Sequence, residues 1–177
     1  MHINSITRQQ GFTLVEIIIG IVTLGIALSL LSTLLFPQAK RSVEPLMQMR
    51  AAELGIALMN EITSKSFDEN SDHSGGVVRC GELDAPPCSL VLGPESGEAR
   101  STYNDVDDYH DLSNMTNSLG DDLSARYPGF SYNISVCYSN AQGACVTTGT
   151  SLFKRVDISV TAPNGQSYTF SELRGNY

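Results

Sequence analysis

Basic residues are scarce in the last two thirds of this chain. Between residues 66 and 122 stand thirteen Asp/Glu and two bases, Arg79 and Arg100. Residues 65–177 carry seven Lys/Arg against fifteen Asp/Glu and supply the whole net charge of −8, whereas residues 1–64 balance four against four. Nucleic-acid phosphates are bound by clustered Lys and Arg, so direct nucleic-acid binding is not expected. Catalytic signatures are missing too. There is no H-E-x-x-H, no G-x-S-x-G and no P-loop. Ser151-Leu152-Phe153-Lys154 spells S-x-x-K, but without its partner motifs a four-residue match arises by chance. An enzyme is not expected. Cys-x-x-Cys and Cys/His metal spacings are also absent.

What the chain does have is a long apolar run with one misplaced charge. Residues 12–36 contain a single ionisable group, Glu16, near the start. A helix of that length reaches ~37 Å at ~1.5 Å per residue, enough to cross a hydrocarbon core of ~30 Å with some tilt. A carboxylate inside such a segment is costly, and it marks function unless it snorkels to the interface. A secretory signal fits poorly. Its apolar region is ~7–15 residues and precedes a small-residue cleavage site, whereas this run is longer and ends in Phe36-Pro37-Gln38-Ala39.

The residues around the acid, Gly11-Phe12-Thr13-Leu14-Val15-Glu16, resemble the processing signal of the type IV prepilin and pseudopilin superfamily. The resemblance implies a leader, residues 1–11, cut after Gly11 by prepilin peptidase. Phe12 becomes the N-methylated first residue, and Glu16 guides assembly. It further implies an assembly and transmembrane half of the helix at 12–36 and a soluble half at 37–64, with Pro37 as the hinge between them. The location implied is the bacterial inner membrane, crossed once, with the head in the periplasm until the subunit enters an extracellular pilus. The implied partners are the other pilin subunits and the pilus assembly platform.

A second layer of similarity lies in Phe36-Pro37-Gln38-Ala39-Lys40-Arg41-Ser42, Ala51-Ala52-Glu53-Leu54-Gly55, residues 65–72 and residues 104–110. These stretches look like the D-type minor pilin-like proteins of mannose-sensitive haemagglutinin (MSHA) pili, which implies a low-abundance component acting in pilus assembly and adhesion. A type II secretion pseudopilin is the nearest alternative. A membrane-anchored, calcium-linked periplasmic binding module is the alternative from another class.

Beyond the apolar run the helical pattern continues. Val43, Met47, Ala51, Leu54, Leu58 and Ile62 share a sector of ~100°. The opposite side is not cleanly polar, since Leu46, Met49 and Ile56 sit there. That suggests one face on the chain's own sheet and another on neighbouring subunits. Pro37 and Pro45 interrupt the helix, and a kink or an opened turn is expected. Residues 65–129 read as an acidic loop region with short strand-like pieces at 76–79 and 89–92. From Phe130 apolar and polar residues alternate, through Tyr132, Ile134, Val136 and Tyr138, then Val156, Ile158 and Val160, then Tyr168 and Phe170. Asn164-Gly165 marks a tight hairpin. The expected fold class is α+β: a long N-terminal helix packed on a C-terminal antiparallel sheet at 130–177, the plan of pilins.

Four cysteines, Cys80, Cys88, Cys137 and Cys145, allow three pairings. Two local loops is the simplest, because short closures cost least entropy. A disulfide framework implies an oxidising compartment. No cofactor is expected beyond a calcium ion. The candidate ligands are Asp105, Asp107, Asp108 and Asp111, a run of carboxylates within seven residues of the kind hard cations take. The stretch Asp68-Glu69-Asn70-Ser71-Asp72 imitates an EF-hand opening, but His73 and Arg79 stand where Gly and Glu are required.

Overall fold

A computed structural model describes residues 11–73 and 76–177, without the side chains of 34–43. The expected leader therefore lies outside the described residues except for Gly11, and so does the side chain of Pro37. The chain divides into two compact units, Met1–Pro45 and Leu46–Tyr177. Helix α1, Leu14–Thr63, starts in the first and ends in the second, and Pro37 and Pro45 both fall within its helical stretch.

In the first unit α1 opens on a cap. The Glu16 amide donates to Thr13 Oγ1 at 3.3 Å, so the hydroxyl satisfies one of the donors that a helix start leaves orphaned. The following 20 residues, Leu14–Thr33, are long and apolar enough to cross a membrane, and none of that span is buried. Thr23 and Thr33 lose no hydrogen bonds there, because their hydroxyls donate back to Ile19 and Leu30 carbonyls at 2.9 and 2.8 Å. Internal satisfaction of this kind is what an apolar solvent demands.

The second unit is α+β. Strands β1 (Ser131–Ser139), β2 (Phe153–Thr161) and β3 (Ser167–Gly175) form an antiparallel sheet in the order β1-β2-β3. The register stacks Tyr132 with Val160 and Tyr168, Ile134 with Ile158 and Phe170, and Tyr138 with Lys154 and Arg174. Side chains alternate across a strand, so this register puts one apolar row on the inner face. Ala51, Leu54, Leu58 and Ile62 of α1 pack into that row and are buried. Outward on the same helix, Leu46, Met49 and Ile56 are more than half exposed, which is the two-sided apolar pattern that the sequence implies.

Residues 65–129 contain one short 3-10 element, η1 (Asp107–Tyr109), and no strand among the described residues. The strand-like pieces at 76–79 and 89–92 form bends instead. Their apolar residues Val77, Leu90 and Val91 are exposed, and with no neighbouring strand to pair with, β propensity alone does not hold them. This region does close the free edge of β1. The Asp111 amide donates to the Ile134 carbonyl at 2.8 Å, the Ile134 amide to the Leu112 carbonyl at 3.1 Å, and the Val136 amide to His110 Nδ1 at 3.0 Å. An edge covered this way is not open to pairing with another chain. At the β2–β3 turn, Gly165 has φ 81° and Asn164 does not share the positive region. The loop is thus a longer hairpin with one left-handed residue, not the two-residue turn that Asn-Gly suggests.

Disulfides join Cys80 to Cys88 and Cys137 to Cys145. The second staples the loop after β1 back onto that strand, beside the Ser139–Cys145 bridge. The first belongs to a small buried cluster with Phe67 and Tyr138.

Helix and sheet come into close contact at Gly55. A Cβ there would lie 2.4 Å from two ring carbons of Phe170, so glycine is what allows this contact. Gly55→Ala is expected to cost about 1–3 kcal/mol through overpacking. The penalty should shrink in a chain already carrying Phe170→Ala. Urea unfolding of the four members of this cycle checks it, and an unchanged penalty would clear the ring of blame.

Candidate functional site

Three places bring chemistry-bearing residues together. The first is the start of α1. Gly11 precedes the helix in non-helical backbone, Phe12 is 79 % exposed, and Glu16 lies exposed on the first turn. Thr13 and Glu16 hold the Ncap and third helical positions, the spacing of a capping box. Residues 11 to 16 thus present an accessible Gly-Phe bond ahead of a helix whose first turn carries an acid.

The second is a lysine buried without exposure. Lys154 occupies the inward phase of β2, where Val156, Ile158 and Val160 follow it at every second position. Its ammonium donates to the Phe67 carbonyl at 2.6 Å, to Asp68 Oδ2 at 3.1 Å and to Asp107 Oδ1. The rings of Phe67 and Tyr138 lie 4.7 and 5.1 Å from Nζ, close enough for cation–π attraction. Asp68 is equally buried and heavily supported. It accepts the amides of Asn70 and Ser89 and the Ser89 hydroxyl, and the Tyr138 hydroxyl lies 3.1 Å away. Burial works to raise the Asp68 pKa, but Lys154 and these amides overcome it and hold the carboxyl below its ordinary value. The S-x-x-K match gains nothing from this geometry, because Ser151 donates to the Ser139 carbonyl at 2.6 Å while Lys154 is committed to its carboxylates.

The third is a group of acids drawn from three segments. Asp105 Oδ1 accepts the amides of Asp107 and Asp108 at 2.8 and 3.1 Å, and Asp108 Oδ2 accepts those of Asn104 and Asp105 at 2.7 and 3.0 Å. These reciprocal bonds fold the acidic run into η1. Ser66 pairs with Asp105 as an isolated parallel bridge, which brings Glu69 alongside. A turn supplies the rest. The Glu98 amide donates to the Glu95 carbonyl at 3.0 Å across Gly97, whose φ of 96° a side chain would resist. Carboxylate oxygens of Glu69, Glu95 and Asp105 lie within 4.8 Å of one another, and so do those of Glu95, Glu98 and Asp108. Burial first, then the neighbouring Asp108, pushes the Glu95 carboxyl up to about 7. Burial, then Asp107 and Asp108, pushes Asp105 up to about 8.

The four aspartates expected as ligands are thus divided. Asp105 and Asp108 enter the acid group. Asp107 is turned to Lys154, and Asp111 is 81 % exposed at a positive φ of 59°, with His110 Nε2 at 3.7 Å. Glu69, Glu95 and Glu98 carry no local sequence signal for joining Asp105 and Asp108, because chain closure brings them in, over 36 residues from Glu69 to Asp105 and over 10 from Glu95 to Asp105 and from Glu98 to Asp108. Lys154 did carry a signal, a charged residue at an inward position of an alternating strand.

The helix-and-sheet arrangement is compatible with a pilin-like fold. No family model, no curated protein and no solved structure matches this chain.

Lys154→Met leaves Asp68 and Asp107 buried without their cation. The expected loss is about 3–5 kcal/mol, measured by urea unfolding of the full chain in detergent and followed by the fluorescence of its seven tyrosines. Breaking the exposed Arg126–Glu53 pair in the same assay should change little, as surface pairs do.

Proposed function

We propose that this chain is a minor structural subunit of a type IV pilus of the MSHA kind, cut after Gly11, N-methylated at Phe12 and assembled through its N-terminal helix. The observation that carries the reading is the hexapeptide ending in Glu16, set directly ahead of an unburied apolar helix. A cut at Gly11 removes the leader and leaves the helix attached to the head. The subunit then stays in the inner membrane, with its disulfide-bearing domain on the oxidising side, until the assembly platform draws it into a filament.

The chemistry of docking follows from charge. After cleavage Phe12 carries an ammonium. Either that group or Glu16 is costly to bury alone, whereas together they attract strongly in a low dielectric. Glu16 of an incoming subunit pairs with the Phe12 amine of a neighbour, and the pair sets the register in which the helices stack. The exposed apolar residues Leu46, Met49 and Ile56 extend the same packing surface onto the soluble half of the helix. The dense acid content of the head keeps it solvated outside the filament core.

Mass spectrometry of the mature chain in its native host tests the first step. A methylated Phe12 at the N-terminus is the expected result, and an intact Met1 or a cut after Phe36 would overturn it. Gly11→Leu should leave the leader on, seen as slower migration on a gel. Glu16→Gln should leave processing intact and lower the amount of subunit in sheared pili by at least tenfold, since leaving one buried charge without its partner costs about 3–5 kcal/mol. Incorporation of the mutant at the parent level would end the register idea.

A further inference from the structure

The acid group formed by Glu69, Glu95, Glu98, Asp105 and Asp108 has no use in the filament reading, and its geometry asks for a ligand. Asp105 is fully buried and Asp108 is 1 % exposed. Each spends one carboxylate oxygen on two backbone amides, while the other, Asp105 Oδ2 and Asp108 Oδ1, is buried and has no hydrogen-bond partner. Glu95 Oε2 and Asn104 Oδ1 are in the same condition. Six unpartnered acceptors therefore come from the same three short segments, counting Glu69 Oε2, which has only His73 at 3.5 Å, and Asp107 Oδ2, whose other oxygen meets Lys154. A buried acceptor left unmade costs on the order of 1–3 kcal/mol, and more when charged.

Lys154 serves Asp68 and Asp107, and Lys65 donates to the Tyr103 carbonyl at 2.8 Å. Arg100 lies 2.6 Å from Glu61 and over the Tyr103 and Tyr109 rings, with its guanidinium nitrogens making no hydrogen bond. Among the described residues no lysine or arginine forms an ion pair with the five acids. What fits such a place is a small, hard cation.

We propose that Glu69, Glu95, Glu98, Asp105 and Asp108 form a calcium site in the head domain, centred on the Glu95 carboxylate that their two trios share. Calcium takes 6–8 oxygens at ~2.3–2.6 Å in flexible geometry. Ligand oxygens around such an ion are separated by up to twice that bond, and the oxygens within each of two trios that share Glu95 (Glu69, Glu95 and Asp105; Glu95, Glu98 and Asp108) lie within 4.8 Å of one another. The donor set is all oxygen and mostly carboxylate, with glutamates able to bind through both oxygens. Magnesium prefers a strict octahedron, keeps several waters and takes one or two carboxylates, so this crowded anionic group favours the larger ion.

The ion clips together the segment after α1, the turn at 95–98 and the run that forms η1. Two residues of that last segment then reach the core: Asp107 touches Lys154 of β2, and the Tyr109 hydroxyl donates to Glu61 of α1 at 2.9 Å. Calcium at this position stiffens the long acidic region and fixes it to helix and sheet. The site is independent of the filament reading, because it concerns the isolated subunit.

The test uses the full-length chain in detergent, stripped with EDTA and then titrated with Ca²⁺ alone by calorimetry, with thermal unfolding in parallel. Saturable binding and a rise in Tm with Ca²⁺ are expected, with a much smaller rise for Mg²⁺ at equal concentration. Glu95→Gln should weaken Ca²⁺ binding by about tenfold or more, because affinity follows the ligand charge count. Glu82→Gln, an exposed acid of the same region, should bind as the parent does. Absence of saturable binding to the parent chain would overturn the site, and so would Glu95→Gln binding as tightly as the parent. Equal losses in Glu95→Gln and Glu82→Gln would do the same, since they would mark diffuse attraction to an acidic surface.

Discussion

The head is organised around one ammonium group in a place without water. Lys154 reaches from β2 to the Phe67 carbonyl, Asp68 and Asp107, three groups from two loops that the Ser66–Asp105 bridge also joins. Removing an ammonium and two carboxylates from water is costly, and their attraction offsets that cost only when the remaining lone pairs are also satisfied. Asp68 meets the condition through two amides, the Ser89 hydroxyl and Tyr138. Once those bonds are made, residues 66–70 and 105–109 have few other positions to occupy. The arrangement serves to specify as much as to stabilise, because a loop region low in apolar residues has little else to fix it.

The same geometry sorts the acids into two populations. Asp68 and Asp107 face a cation of the chain itself. Asp105 and Asp108, one residue to either side of the pair formed by Val106 and Asp107, have carboxylate oxygens within 4.8 Å of Glu95. Burial and mutual repulsion raise the carboxyls of Glu95 and Asp105, as expected for negative charge gathered beyond what the protein's own bases neutralise. Turning one 3-10 element through this sequence is enough to give neighbouring aspartates opposite partners.

The helix obeys a different solvent. Its first 20 residues leave their apolar side chains unburied, while its last turns bury Leu54, Leu58 and Ile62 completely or nearly so. Water would not tolerate the first arrangement, and a bilayer or a bundle of like helices would. On the proposed reading the subunit uses both, one after the other, and Glu16 is the group whose charge must be matched on each side of that transfer.

Much of this was legible in the sequence, and the reasons differ from element to element. The apolar run, the inward rows of the three strands and the buried stripe on α1 all rest on local properties, the last two on periods of 2 and 3.6. The hexapeptide Gly11 to Glu16 is likewise contiguous. The loop region was not legible in this way. Residues 76–79 and 89–92 have strand-like composition and form no strand, because a strand needs a partner and none is adjacent. The grouping of Glu69, Glu95 and Glu98 with Asp105 and Asp108, and the parting of Asp107 and Asp111 from them, depends on how residues 66–108 close over the sheet. The sequence by itself determined a membrane-length helix with an acid at its entrance and an acidic α+β head. Only the tertiary structure decided which carboxylates share a cation and which are left facing one another, because that depends on contacts across tens of residues, where periodicity carries no information.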